Sequence, residues 1–172
     1  GCRTEHEKNF KSKFEFNEED TTPKGEAVKK LTLNMSVYTQ PWFEYDSKNK
    51  VYKRFQYGDK QIDDLTGKQL SFKNIIIQFA HYTSIDDHGI IHDVIQLIQS
   101  PGDASRQLID LVGSGDGYYV SDGQLIPVTW TKSDDSAVTK YYTEDGKELK
   151  LNPGKTYVTV FESDNKAGVV WE

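Results

Sequence analysis

The chain has 172 residues, 35% of them hydrophobic and 12% aromatic, with a net charge of -6. That length supports one domain with a sizeable core and is short for two. The acidic balance, without Lys/Arg clusters, argues against a nucleic-acid-binding surface, and no apolar run approaches the roughly 20 residues of a membrane-spanning helix. The single cysteine, Cys2, allows neither an internal disulfide nor a multi-cysteine metal site. No hydrophobic segment precedes it, so it is expected to be incidental and not a lipid attachment point.

Residues 1–24 form a charged opening with Phe10, Phe14 and Phe16 as its apolar points, expected to be a linker or an arm that docks by those rings. Thr21-Thr22-Pro23-Lys24-Gly25 breaks it from a single mainly β domain over 25–172. Leu31, Leu33, Met35 and Val37 alternate with polar residues, the period of a half-buried strand. Trp42–Tyr45 and Val51–Tyr57 read as a hairpin across the polar turn Asp46–Lys50, and Gly58-Asp59 turns the chain again. The Ile75-Ile76-Ile77 run inside Phe72–Tyr82 is continuous, not alternating, which predicts a central strand covered on both faces. Residues 85–107 fit neither period cleanly; His92–Gln99 is read as strand continuing the sheet, closed by Pro101-Gly102.

Ile109–Lys132 carries the densest instructions. Asp122-Gly123 suits a type I′ turn, which sets Val120 against Leu125, Tyr119 against Ile126 and Tyr118 against Pro127. Tyr119, Ile126, Val128 and Trp130 then share one face, and Tyr118, Val120 and Leu125 the other, so the pair belongs inside a sheet. Pro127 cannot donate to a ladder and marks a bulge or an unpaired side. Gly113–Gly117 lacks the following helix of a phosphate loop and reads as a bulge or corner; Ser114 has no nucleophile-elbow context. A second Asp-Gly turn at Asp145-Gly146 should set Glu144 opposite Lys147, Asn152-Pro153-Gly154 turns again, and Thr156–Phe161 is the last strong strand. The expected fold is mainly β, an antiparallel sandwich or partly open barrel of about eight to ten short strands with at most one or two short helices.

An ordered set of blocks carries a resemblance: Val51–Phe55, Asp63–Leu70, Asn74–Gln78, Ile109–Gly115, Val128–Lys132 and Leu151–Thr156. From about Phe14 to Phe161 the chain resembles the C-terminal domain of the YerB-like lipoproteins, the domain of unknown function numbered 3048. The resemblance implies a bacterial, outward-facing protein whose lipid anchor lies outside this chain, and an N-terminal domain of the same polypeptide as partner. Cys2 would fall in the interdomain region. The family supplies no catalytic residues and implies no cofactor.

On the residues alone, Asp63, His81 and Asp110 are the catalytic candidates, although turn capping accounts for both carboxylates and a packed or rim position for the histidine. His88 and His92 have the i, i+4 spacing of metal ligands, but Gly89 interrupts the helix such a pair needs, and a solvated loop is the simpler reading. Trp42, Tyr45, Arg54, Tyr57, Tyr118 and Tyr141 are the ligand-binding candidates, because exposed aromatic platforms suit glycans and peptides; core packing is the competing account. These readings favour a non-catalytic binding or scaffolding module of a cell-envelope lipoprotein, with cell-wall glycan or an envelope protein as further partner and no nucleic acid. The alternative is a domain of an envelope hydrolase acting on cell-wall material, its site shared with an N-terminal domain; convergence of Asp63, His81 and Asp110 within about 4 Å would favour it.

Overall fold

The computed structural model describes residues 13–85 and 106–172. Both metal-ligand candidates, His88 and His92, and the strand expected at His92–Gln99 lie outside them.

Sixteen strands are present among the described residues, nine of them four residues or longer. They are β1 (Glu15–Phe16), β2 (Glu26–Ala27), β3 (Lys30–Leu33), β4 (Trp42–Asp46), β5 (Val51–Gln56), β6 (Asp59–Lys60), β7 (Ser71–Phe72) and β8 (Asn74–Ala80). There follow β9 (Tyr82–Ile85), β10 (Arg106–Ile109), β11 (Gly113–Ser121), β12 (Gln124–Lys132), β13 (Lys140–Tyr142), β14 (Lys150–Leu151), β15 (Thr156–Glu162) and β16 (Val169–Trp171). One short 3₁₀ segment, Ser163–Gly168, joins β15 to β16.

One sheet runs β13-β12-β11-β8-β15, with β2 added to β12; the other runs β16-β3-β4-β5-β6, with β7 added to β5. They face each other as a sandwich, and among the described residues no sheet closes into a barrel. β8 is the spine. All seven of its residues are buried, and the isoleucine run feeds two cores. Ile75 and Ile77 join Leu31, Leu33, Phe43, Tyr52, Val120, Leu125 and Phe161 between the sheets. Ile76 turns outward to Tyr119, Val128, Trp130, Tyr141, Leu149 and Leu151, a second core roofed by Phe14 and the segment from β13 to β14.

The Asp122-Gly123 turn has the expected positive φ values, 48° and 77°, and its register is the expected one. Pro127 sits in the gap between the stretch of β12 paired with β2 and the stretch paired with β13, so its missing N–H faces no neighbour. Four expectations change. β3 stops at Leu33, because Ser36 Oγ accepts from Tyr38 N–H and Thr39 N–H and turns the chain, leaving Val37 82% exposed. Tyr57 is not a strand residue: with φ 55° it shares the β5–β6 turn with Gly58 and is exposed. Glu144 does not face Lys147, since Thr143 N–H bonds Lys147 O and makes a three-residue loop, in which Lys147 pairs with Asp145 instead. Finally, β15 joins β8 in parallel over Thr156–Glu162, so the sandwich is not purely antiparallel.

Residues 13–22 are tied down by polar contacts. β1 pairs with β14, and Phe14 stacks on Tyr141 with centroids 6.4 Å apart. Asn152, fully buried, accepts from Thr21 N–H at 2.8 Å and donates through Nδ2 to Thr21 O at 2.7 Å and Ser121 Oγ at 3.0 Å. Asn74 Oδ1 accepts from the Tyr119 hydroxyl at 2.7 Å and from Asn152 N–H at 3.1 Å, so the spine, the hairpin and the arm share one buried network.

Candidate functional site: an opening between β8 and β11

β8 pairs with β11 as far as Gln78↔Gly117, and the chain resumes pairing at Tyr82↔Ile109 between β9 and β10. Between those pairs, seven residues, Asp110–Asp116, lie opposite three, Phe79–His81. The excess cannot be absorbed in the ladder, so the two sides part. Gly113–Gly117 is thus the expected bulge in an enlarged form: irregular toward β8, yet in unbroken register with β12.

The parting is held open by two side chains. Trp130 crosses over Gly115 and donates its indole N–H to Phe79 O at 2.8 Å; a Cβ on Gly115 would lie 2.8 Å from that nitrogen. From the 3₁₀ segment, Lys166 Nζ reaches Asp116 Oδ2 at 2.7 Å and stands 5.2 Å from the centre of the Phe79 ring. The result is a cavity of about 380 Å³ whose polar lining includes His81, Asp110, Ser114, Asp116, Ser163 and Lys166. A neighbouring cavity of about 280 Å³ shares Phe79, Asp116 and Lys166 with it and adds Tyr118, Pro127, Thr129 and Glu144.

This opening brings together two of the three catalytic candidates. His81 and Asp110 both line it, joined through the backbone by Asp110 N–H to His81 O at 3.0 Å. Asp63 is elsewhere: its carboxylate accepts from Thr66 N–H and Thr66 Oγ1, both at 2.8 Å, and these bonds hold it below the usual carboxylate range, with the Lys155 charge adding to them. Lys155 O accepts from Lys73 N–H, just before β8 begins, whereas His81 follows its end, about 20 Å away at the rise of a strand. The three do not converge. Ser114, which the sequence offers no reason to select, lines the same cavity as His81 and Asp110. Among the described residues no side-chain hydrogen bond is found between any two of them.

The ligand-binding candidates separate in the same way. Tyr118 is the one that lines the opening, edge-on to Phe79 at 5.4 Å and to Trp171 at 5.5 Å. Tyr141 is not a surface platform but is buried, its hydroxyl donating to Gln78 Oε1 at 2.8 Å and its phenol pushed up to about 12 by burial. Tyr45 packs on Gly123 and donates to Asp122 Oδ1 at 2.7 Å; burial and then that carboxylate raise its pKa. Arg54 donates to Gln56 Oε1 at 2.6 Å and lies 5.4 Å over the Tyr157 ring. Trp42 stacks on Phe55 at 5.1 Å on the outer face of the second sheet, and Tyr57 stands alone in its turn. The aromatic surplus is mostly spent on packing between and across short strands.

The family model described as "Protein of unknown function (DUF3048) C-terminal domain" matches residues 31–158. The chain belongs to this family. A search of curated proteins returns no match. Among solved structures, the DUF3048 C-terminal domain described here is similar to the crystal structure of YerB protein from Bacillus subtilis, with a TM-score of 0.66 at 24% identity over 92% of this chain. That likeness shows the fold. The chain spans 46% of the length of the YerB chain, and in the DUF3048 domain the matched residues 31–158 include β11, β12 and both cavity-lining candidates, His81 and Asp110.

Proposed function

We propose that this chain is a non-catalytic binding or scaffolding module of a bacterial cell-envelope lipoprotein, outward-facing and joined to an N-terminal domain of the same polypeptide that carries the lipid anchor. The observation that carries the reading is the opening between β8 and β11. It is a cavity built into the sheet, lined with hydroxyl, imidazole and carboxylate groups, and among the described residues its potential acid, base and nucleophile are not bonded into a working set. The lipoprotein setting is what the resemblance to the YerB-like lipoproteins implies, and the 46% coverage of YerB supports a further domain. The module's ligand is envelope material, either cell-wall glycan or protein.

A pull-down from envelope extract with this chain and the full-length protein side by side tests it. The expected result is that both retain the same ligand and that Asp116→Asn or Tyr118→Ala in either releases it. Retention by the full-length protein alone would move the function to the other domain.

A second reading, an envelope hydrolase, is favoured by the presence of Ser114, His81 and Asp110 in one cavity. Release of muropeptides from purified cell wall, lost in His81→Ala and Ser114→Ala, would establish it and displace the first.

A further inference from the structure

β15 is the outermost strand of the first sheet. Among the described residues its one strand partner is β8, in parallel over Thr156–Glu162. Asn74 N–H donates to Lys155 O, so the odd-numbered residues of β15 turn their backbone groups toward β8 and the even-numbered ones turn away. β8 shows the matching alternation, since the Phe79 and His81 carbonyls are bonded on its other flank by the Trp130 indole and Asp110 N–H. Thr156 and Val158 therefore present N–H and C=O to the open side, where no backbone partner among the described residues meets them. Val160 O, next in the row, is already bonded by the Tyr82 hydroxyl at 3.1 Å.

Sheet edges are ordinarily blunted by charge, proline, a bulge, brevity or a covering segment. The other edges of this fold follow that rule: β6 is the charged pair Asp59-Lys60, β16 has three residues, and β13 is covered where Leu149 N–H donates to Tyr141 O. β15 has none of these devices. It runs seven residues in unbroken register, without proline and without charge before Glu162, and Val158 is 43% exposed. On a chain of net charge -6, this neutral edge is a place where two copies can meet without opposing like charges.

We propose that β15 is a self-association edge, at which two copies of this domain pair antiparallel about Tyr157 and join their first sheets into one. That register sets Thr156 of each copy opposite Val158 of the other and closes four N–H···O bonds, the self-complementary arrangement a twofold interface requires. It leaves Val160 O to Tyr82 and holds Lys155 and Glu162, at the two ends of the edge, apart from their counterparts. β-branched Thr156 and Val158 then cover one another across the axis. The edge lies on the flank of β8 opposite β11, so it is tested apart from the binding-module reading of the opening.

The test is the mass of the 172-residue chain in solution as a function of concentration, with amide hydrogen exchange on the same samples. The mass is expected to rise from one copy toward two, and the Thr156 and Val158 amides to be protected in the concentrated sample and to exchange freely on dilution. Val158→Pro removes an N–H that faces away from β8, and Val158→Lys keeps that N–H but sets a charge on the edge. Each should raise the dissociation constant by at least about tenfold, the scale of two lost hydrogen bonds, with the urea midpoint of the single copy little changed. Val170→Lys, at a 49% exposed position of β16, should leave it unaltered. A single-copy mass at every concentration up to about 1 mM would overturn the proposal, as would a dimer that both Val158 variants leave intact or that Val170→Lys weakens equally. The reading of the opening as a ligand site would stand in each of these cases.

Discussion

Asp122 works twice: as the first central residue of a type I′ turn, at φ 48°, and as the acceptor for three separate elements. Thr22 Oγ1 donates to its carboxylate from the arm, Tyr45 OH at 2.7 Å from β4, and Lys50 Nζ at 3.3 Å from the β4–β5 turn. Burial alone would raise its pKa, but these donors outweigh it and leave the group below its ordinary value. Because the folded pKa lies below the unfolded value of about 3.9, the stabilisation is fully present above that pH and is lost as pH falls through the folded pKa. Asp122→Asn keeps a side chain that tolerates positive φ and removes the charge together with one of the two acceptor oxygens. Its urea midpoint is expected to be lower than the parent's at neutral pH, with the two curves converging as pH drops below about 4. Parallel curves down to acid would show that the carboxylate's ionisation carries none of the stability. The same logic applies to neighbours with no charge: Asn152 has no solvent exposure, and its bonds to Thr21 and Ser121 have no water to replace them.

At the scale of elements, the parting of β8 from β11 depends on a glycine. Gly115→Ala would force a Cβ to 2.8 Å from Trp130 Nε1 and 3.0 Å from Phe79 O, both of which are held in place. It is expected to cost about 1–3 kcal/mol and to shift Trp130, now 2% exposed, toward water with a red-shifted fluorescence. Gly113→Ala meets nothing within 4 Å and costs only its left-handed backbone, φ 126°, so it should leave the fluorescence unchanged. The arm gives a second prediction. Removing residues 1–24 strips partners from two buried side chains, Asn152 and Asp122, and should lower stability by at least about 3 kcal/mol in urea unfolding. An unchanged midpoint would mean that the arm is only a linker.

These elements also mark where sequence reading stops. The register of β11 on β12 was legible because Asp122-Gly123 fixes it within two residues, and the burial of β8 because three isoleucines leave no polar face. The loop at Asp145-Gly146 carries the same dipeptide but resolves differently, since only Gly146, at φ 76°, takes the left-handed conformation and Thr143 closes on Lys147. The parallel partner of β15 lies some eighty residues upstream, and nothing local in Thr156–Phe161 selects it. The opening itself is an excess of residues on one side of a long-range ladder, invisible until both registers are known. Hence Tyr118 could be named from sequence, whereas Ser114, Asp116 and Lys166 could not.

For the molecule as a whole, the two cores meet only through the strands that separate them, which bears on how it unfolds. Ile77 points into the core between the sheets and Ile76 into the outer core, yet they are adjacent residues of one strand, paired on one side to β11 and on the other to β15. Loss of either core would free a strand that the other requires. Trp130 lies in the outer core and Tyr52 in the inner one, both essentially unexposed, and with Trp42 and Trp171 replaced by phenylalanine the tryptophan fluorescence reports the outer core alone. Ile76→Ala and Ile77→Ala are therefore each expected to cost about 2–5 kcal/mol, the range for a fully buried isoleucine truncated to alanine. Each should shift the urea midpoint of tryptophan fluorescence and of far-ultraviolet circular dichroism together, with the slope of the transition unchanged. If Ile76→Ala moved the fluorescence transition alone, the layer formed by the arm and the segment from β13 to β14 would be a separate unfolding unit. The sheet opening beside Trp130 would then belong to the less stable of two parts instead of to a rigid frame.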